Sequence, residues 1–270
     1  MLNDAVDLGL TKVEFTGGEP LLYPELLDLA AELKEKKITT LLVTNGSLIT
    51  KKIAEKLASL KTMVAVSLST LSEHQFNHLS GTKGNYPKVI EGIDHLKDAG
   101  FSSRSAPLLA LQSLASKDTL AELPALQAWA EANDCLFILN RPIPVGAMSQ
   151  ASMLSGVELK TLLGPDSKVP FSLDSACNRL TVGCYIGSDA IVRPCPCIDL
   201  QAGSLREEKL STIWHNAEVL AECRKINNNL KGSCGECAEN IRCYGCRAVA
   251  FAVSGDIAAP DPGCHRYQNN

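Results

Sequence analysis

Lys12-Val-Glu-Phe-Thr-Gly-Gly-Glu-Pro20 decides how the first half of the chain is read. Lys12–Thr16 is short, apolar in alternation and rich in β-formers, so it predicts a strand. The strand runs straight into two glycines, a carboxylate and a proline. Gly17 and Gly18 permit close approach of the backbone to a ligand, and the exposed amides there can donate to it. Glu19 can accept hydrogen bonds from a cationic amine. Pro20 fixes the exit into the next helix. The plain alternative is a tight turn with a solvated glutamate.

The same alternation of strand and helix continues outward from this turn. Further strands are expected at Thr39–Thr44, Met63–Ser69, more weakly near Ser105–Leu111, and at Leu136–Asn140. Apolar residues recur at helical spacing between them. Tyr23–Lys36 aligns Leu26, Leu27, Ala30 and Leu33. Ser47–Leu60 aligns Ile49, Ile53 and Leu57. Asn85–Ala99 aligns Val89, Ile93 and Leu96, with Gly100 as its stop. Leu120–Ala132 aligns Leu123, Leu126 and Trp129. Repeated β-α units predict an α/β fold with a parallel sheet, either a barrel or an open sheet. In both, ligands sit beyond the carboxyl ends of the strands.

A change of composition follows. Residues 141–176 are broken by Pro142, Pro144, Pro165 and Pro170, with one helix expected over Ser155–Leu163. From Cys177 onward Gly, Pro and Cys dominate, and only Leu210–Ile226 keeps amphipathic spacing. The expected division is 1–150, a connector over 151–176, and a cysteine-rich domain over 177–270.

Ten of the eleven cysteines lie between Cys177 and Cys264. Disulfides, zinc and iron–sulfur clusters are the options. The start of the chain has neither the basic segment nor the apolar run of a signal peptide, so the cytoplasm is the expected compartment, where clustered thiols favour metal. Cys234-x2-Cys237-x5-Cys243-x2-Cys246 supplies four thiolates, enough for zinc. Its spacing is tighter than a zinc ribbon's, and Cys177, Cys184, Cys195 and Cys264 are then left over. Eight thiolates suit two iron–sulfur clusters. Cys223 and Cys135 read as small buried residues. His74 and His78 stand at metal-ligand spacing, but no third ligand is near, so they read as a polar helix face.

Net charge is −4 with acids and bases interleaved, which argues against nucleic acid as a partner. No apolar run reaches the roughly 20 residues that span a bilayer.

Thr-Gly-Gly-Glu-Pro-Leu, then Val43-Thr-Asn-Gly46 and Val66-Ser-Leu-Ser69, together resemble the radical S-adenosylmethionine (SAM) enzymes. The resemblance implies a partial TIM-like (β/α) barrel lacking its first strand. It assigns Gly17, Gly18, Glu19 and Pro20 to the methionine end of SAM, with Asn45 and Ser67 at neighbouring strand ends. The family's Cys-x3-Cys-x2-Cys loop, which holds the [4Fe–4S] cluster that binds SAM, is absent, since no cysteine precedes Cys135. The expectation is that the first strand and this loop lie before Met1, and that the chain as it stands does not cleave SAM.

Cys177, Cys184, Pro194-Cys195, the Cys234 to Cys246 run, Gly245-Cys246-Arg247 and Asp261-Pro-Gly-Cys264 resemble the SPASM extension of these enzymes. By that resemblance Cys177, Cys184, Cys195 and Cys246 hold one auxiliary [4Fe–4S] cluster, and Cys234, Cys237, Cys243 and Cys264 hold a second. Two positions depart from the pattern. Ala190 stands where it has glycine, and two residues rather than three separate Cys243 from Cys246. Cys197 is the alternative to Cys195.

The implied function is an oxidoreductase or maturase acting on a peptide or tetrapyrrole (haem-precursor) substrate by 5′-deoxyadenosyl radical chemistry. A reductant such as flavodoxin or ferredoxin is the implied partner. Arg141, just past the last strand, is a candidate for a substrate carboxylate. A non-catalytic iron–sulfur electron-transfer module and a zinc-stabilised interaction protein are the alternatives.

Overall fold

The structure is a computed structural model that describes residues 1–146, 152–154, 158 and 179–264. Among them the chain divides into two compact units. One is Leu10–Asn140. The other joins Met1–Gly9 to the segment from Arg141 onward.

The first unit is a parallel sheet of five strands in the order β1-β2-β3-β4-β5. These are β1 Lys12–Phe15, β2 Thr39–Thr44, β3 Met63–Ser67, β4 Leu109–Leu114 and β5 Leu136–Asn140. Spatial order follows chain order with no reversal. That is the winding of a (β/α) barrel rather than of a doubly wound sheet, whose order reverses at a switch point. Thr39, Thr40, Val43 and Thr44 make β2 rich in β-branched residues, and its register sets Leu42 against Val64 of β3.

Helices α2 Leu26–Glu35, α3 Lys51–Leu60, α4 Glu73–Ser80, α5 Tyr86–Asp98 and α6 Leu123–Ala132 connect the strands. Each of α2, α3, α5 and α6 buries one stripe: Ala30 and Leu33, Ala54 and Leu57, Ile93 and Leu96, Leu126 and Ala130. Thr50 caps α3 by accepting the Ile53 N–H, so the helix begins four residues later than the apolar spacing suggests. Gly100, with φ at +92°, follows α5 as expected. The fourth strand begins at Leu109 rather than near Ser105. Ser102 and Ser105 bond locally instead, their Oγ atoms 2.7 Å apart, while Ser103 Oγ donates to Asp134 Oδ1 at 2.6 Å.

The second unit contains α1 Leu2–Asp7, α7 Arg179–Val182, and a three-stranded antiparallel sheet of β6 Tyr185–Ile186, β7 Ile191–Arg193 and β8 Gly203–Ser204. Four more helices follow: α8 Leu210–Asn216, α9 Glu218–Arg224, α10 Gly232–Gly235 and α11 Arg247–Ser254. The expected boundary near residue 150 moves to 140–141, and α1 joins this unit rather than the sheet. The reason is local: Asp4 Oδ2 accepts the Ser211 N–H at 2.8 Å, at the start of α8. Leu210–Ile226 is two helices instead of one, because Ala217 is extended (φ −68°, ψ 119°). The helix expected over Ser155–Leu163 lies outside the described residues apart from Glu158.

Candidate functional site

The turn after β1 is built around the Glu19 carboxylate. Its Oε1 accepts the Leu21 N–H (3.1 Å) and the Thr44 hydroxyl (2.8 Å), and its Oε2 accepts the Asn45 N–H (2.8 Å). Thr44 ends β2, so this carboxylate joins the carboxyl ends of two adjacent strands. The Thr44 hydroxyl in turn accepts the Gly46 N–H at 3.0 Å. Pro20, buried, starts a single 3₁₀ turn whose geometry its ring favours. Gly17 has φ at +140°, which an L side chain rarely adopts. A Cβ placed on Gly17 or on Gly18 would meet nothing within 4 Å. Ser67 ends β3 and is exposed. The structure therefore places Gly17, Gly18 and Glu19 in the turn after β1, bonds that turn to Asn45 after β2, and leaves Ser67 at the end of the next strand. Open space over a glycine pair beside an anchored carboxylate fits the amine and carboxylate of an amino acid, which is the methionine end of SAM.

Apart from Cys135 the described thiols lie in the second unit, and none of the described cysteines forms a disulfide. Cys195, Cys197 and Cys246 pack on one apolar cluster with Leu180, Ile198, Cys223 and Ala248. Cys195 and Cys197 share a hydrogen bond across Pro196. That bond pushes the Cys195 thiol well up and draws the Cys197 thiol down. Burial raises Cys246, with the Arg141 charge opposing it, and burial alone raises Cys184. Burial also raises Cys135 and Cys223 to about 11, as befits inert small apolar residues. Cys177 lies outside the described residues. His74 and His78 are both exposed on α4.

Two further thiols, Cys234 and Cys243, accept directed N–H groups. Cys243 Sγ accepts the Gly245 N–H at 3.4 Å, and Cys234 Sγ accepts the Asp261 N–H at 3.3 Å. The guanidinium of Arg247, 3% exposed, has one terminal nitrogen 3.7 Å from Cys234 Sγ, while its Nε is buried without an acceptor. A buried cation short of acceptors beside a thiol calls for negative charge at that place. Sulfur-directed amides and a guanidinium are what a thiolate-ligated iron–sulfur cluster uses, and its potential depends on them.

Among the described residues, no three His, Cys, Asp or Glu side chains converge on a single ion. Ligands of a four-iron cluster each bind a separate iron and are spread around it, so thiols that do not converge still suit a cluster.

Arg141 is occupied within the chain. Its side chain is 6% exposed, and it forms a two-armed pair with Asp261, itself 2% exposed, at 3.2 and 2.7 Å. It also donates to Gly263 O at 2.8 Å. The carboxylate that Arg141 holds is thus Asp261's, in place of the substrate carboxylate expected of it. Burial favours the neutral acid, but the charge and hydrogen bonds of Arg141, with the amides of Cys246 and Gly263, outweigh it and hold Asp261 ionised.

Three residues of these sites had no role assigned from sequence: Thr44, Asp261 and Arg247. Each lies within a quoted motif. Thr44 precedes Asn45, Asp261 opens Asp-Pro-Gly-Cys264, and Arg247 follows Cys246. Membership of a motif was the available signal, while partners such as Glu19 for Thr44 and Arg141 for Asp261 lie 25 and 120 residues away.

A singly wound parallel sheet with a Gly-Gly-Glu turn, and a separate thiol-rich unit, are what the resemblance to radical SAM enzymes with a SPASM extension implies. Residues 1–111 match the radical SAM superfamily, and residues 177–238 match the SPASM iron–sulfur cluster-binding domain. The chain belongs to the radical SAM enzymes that carry a SPASM extension. It is 25% identical over 301 residues to an AdoMet-dependent heme synthase of Methanosarcina barkeri, spanning 97% of this chain and 84% of that one. It is 24% identical over 289 residues to a PqqA peptide cyclase of Granulibacter bethesdensis, spanning 98% and 76%. Its fold is similar to that of SuiB of Streptococcus suis bound to S-adenosylmethionine, with a TM-score of 0.73 and 19% identity over 98% of this chain and 68% of that one. No described helix is long and apolar enough to cross a membrane.

Proposed function

We propose that the protein is an oxidoreductase or maturase that binds SAM at the Gly17–Glu19 turn and two [4Fe–4S] clusters in its second unit, and acts on a haem precursor or a peptide. The observation that carries the SAM assignment is the Glu19 carboxylate, fixed by Thr44 and Asn45 beside the open space over Gly17 and Gly18. Glu19 orients an ammonium group, the amides of the turn face a carboxylate, and Asn45 and Ser67 supply polar contacts at the adjacent strand ends. SAM and an iron–sulfur cluster, when bound, supply the radical chemistry. The auxiliary ligands are Cys177, Cys184, Cys195 and Cys246 for one cluster and Cys234, Cys237, Cys243 and Cys264 for the other. The two substrate classes are those named by the relatives that span nearly the whole chain. A flavodoxin or ferredoxin is the proposed electron donor.

Residues 1–134 contain no cysteine. A Cys-x3-Cys-x2-Cys loop is therefore not among them, and binding rather than turnover is the direct test of this chain. Anaerobic reconstitution is expected to load about eight irons per chain, with absorbance near ~400 nm. SAM should bind by calorimetry, and Glu19→Gln should weaken that binding about tenfold through loss of one charge-assisted contact. Zinc alone, with no iron uptake, would reject the cluster assignment. Equal SAM affinity in parent and variant would reject the turn as the SAM site.

A further inference from the structure

Asp261 touches three of the cysteine positions, and these belong to both proposed clusters. Its N–H donates to Cys234 Sγ (3.3 Å), and its carbonyl oxygen accepts the Cys264 N–H (3.2 Å). Its Oδ2 accepts the Cys246 N–H at 2.7 Å. Cys234 and Cys264 are assigned to one cluster and Cys246 to the other. Oδ1 of the same carboxylate accepts the Gly263 N–H at 3.0 Å, which closes the turn leading to Cys264. Arg141 then locks the carboxylate from its remaining side with two hydrogen bonds.

The surroundings leave this arrangement little freedom. A Cβ on Gly245 would lie 2.8 Å from Asp261 Cβ, and one on Gly263 would lie 2.6 Å from the Arg141 guanidinium. Both glycines leave room for the ion pair. Both partners of the pair are buried, so neither charge is well screened by solvent. A full carboxylate and a full guanidinium therefore stand among the ligands of two redox centres.

We propose that Asp261, locked by Arg141, is a shared positioning residue for both auxiliary clusters, holding ligands of each in place and setting both reduction potentials together. The proposal rests on reading these cysteines as cluster ligands. It predicts coupling: a change at one side chain must be felt at both centres. A purely local structural residue would disturb the cluster whose ligand it touches, or the fold, without moving two potentials in a direction set by charge.

The test uses the full chain, reconstituted anaerobically, with Asp261→Ala, Asp261→Asn and Arg141→Gln. Iron and sulfide content, retention of iron against a chelator, electron paramagnetic resonance of the reduced centres and redox titration are measured. Asp261→Ala should lower iron retention about tenfold, with both signals falling together. Asp261→Asn keeps the shape and is expected to keep its iron. Removing a negative charge favours the reduced, more negative clusters, so both midpoint potentials should rise. Arg141→Gln removes a positive charge, and both should fall. In the metal-free chain, amide exchange at Cys246 should accelerate in Asp261→Ala, a readout that needs no iron. Loss or shift of one signal with the other intact would overturn the shared role and leave the cluster reading standing. Shifts of the same sign in Asp261→Asn and Arg141→Gln would overturn it as well. A parent chain that takes up no iron would overturn the cluster reading and this inference with it.

Discussion

Ala190 has φ at +66°, the left-handed region that disfavours an L side chain. It closes the β6–β7 hairpin, donating its N–H to Gly187 O at 2.9 Å. The resemblance to SPASM sequences implies glycine at this position, and the backbone here takes a conformation that glycine favours. Alanine here closes the turn at the cost of backbone strain in one residue. Ala190→Gly should relieve roughly 1 kcal/mol, partly offset by the greater chain entropy of glycine. Chemical denaturation of the two chains reads this directly, and a less stable glycine variant would show that the strain is not there. The left-handed conformation was not legible from Ala190 itself. The departure from pattern marked the position, and only the backbone gave the sign of its effect.

Thr44 shows how an element delivers a site. As the last residue of β2 it is buried, and its hydroxyl both donates to Glu19 and accepts from Gly46. Thr44→Val keeps the shape and the β-branched preference of the strand but leaves the buried Gly46 N–H without its acceptor. Stability should fall by about 1–3 kcal/mol, and SAM affinity should fall with it because Glu19 loses one of three anchors. If stability falls while SAM affinity is unchanged, Thr44 serves the strand and not the site. Strands were legible at this scale because alternation and β-branching are local: β2 and β5 fall where expected, and β4 is displaced only by the serine-rich turn before it. The long helical patterns were equally plain, apart from ends fixed by caps such as Thr50. Helix α11 was not legible. Its Arg247-Ala-Val-Ala-Phe-Ala-Val-Ser254 run follows a glycine- and cysteine-rich stretch, and it buries Ala248, Val249 and Ala250 in succession rather than at helical spacing.

For the molecule as a whole, the two units draw their stability from different sources. Leu10–Asn140 buries large apolar side chains throughout: Leu33, Leu42, Leu57, Leu96, Leu109, Leu111, Leu126 and Leu139 are each at most 1% exposed. The cysteine-bearing unit has short helices, two-residue and three-residue strands, and a core cluster whose partly buried members include Cys195, Cys197 and Cys246. The sheet and its Gly-Gly-Glu turn were readable from sequence because their determinants are contiguous. The Arg141–Asp261 pair was not, because its partners are 120 residues apart and an isolated arginine past a strand suggests solvent or ligand equally well. Metal ligation should therefore stabilise the second unit alone. Chelating the iron from the reconstituted chain is expected to speed amide exchange across residues 179–264 and leave the strands of Leu10–Asn140 protected. The two units would then melt as separate transitions, with only the lower one dependent on iron. Faster exchange in both units alike would mean that iron stabilises both and not the second alone, and unchanged exchange in both would mean that apolar packing and not metal holds the cysteine-bearing unit together.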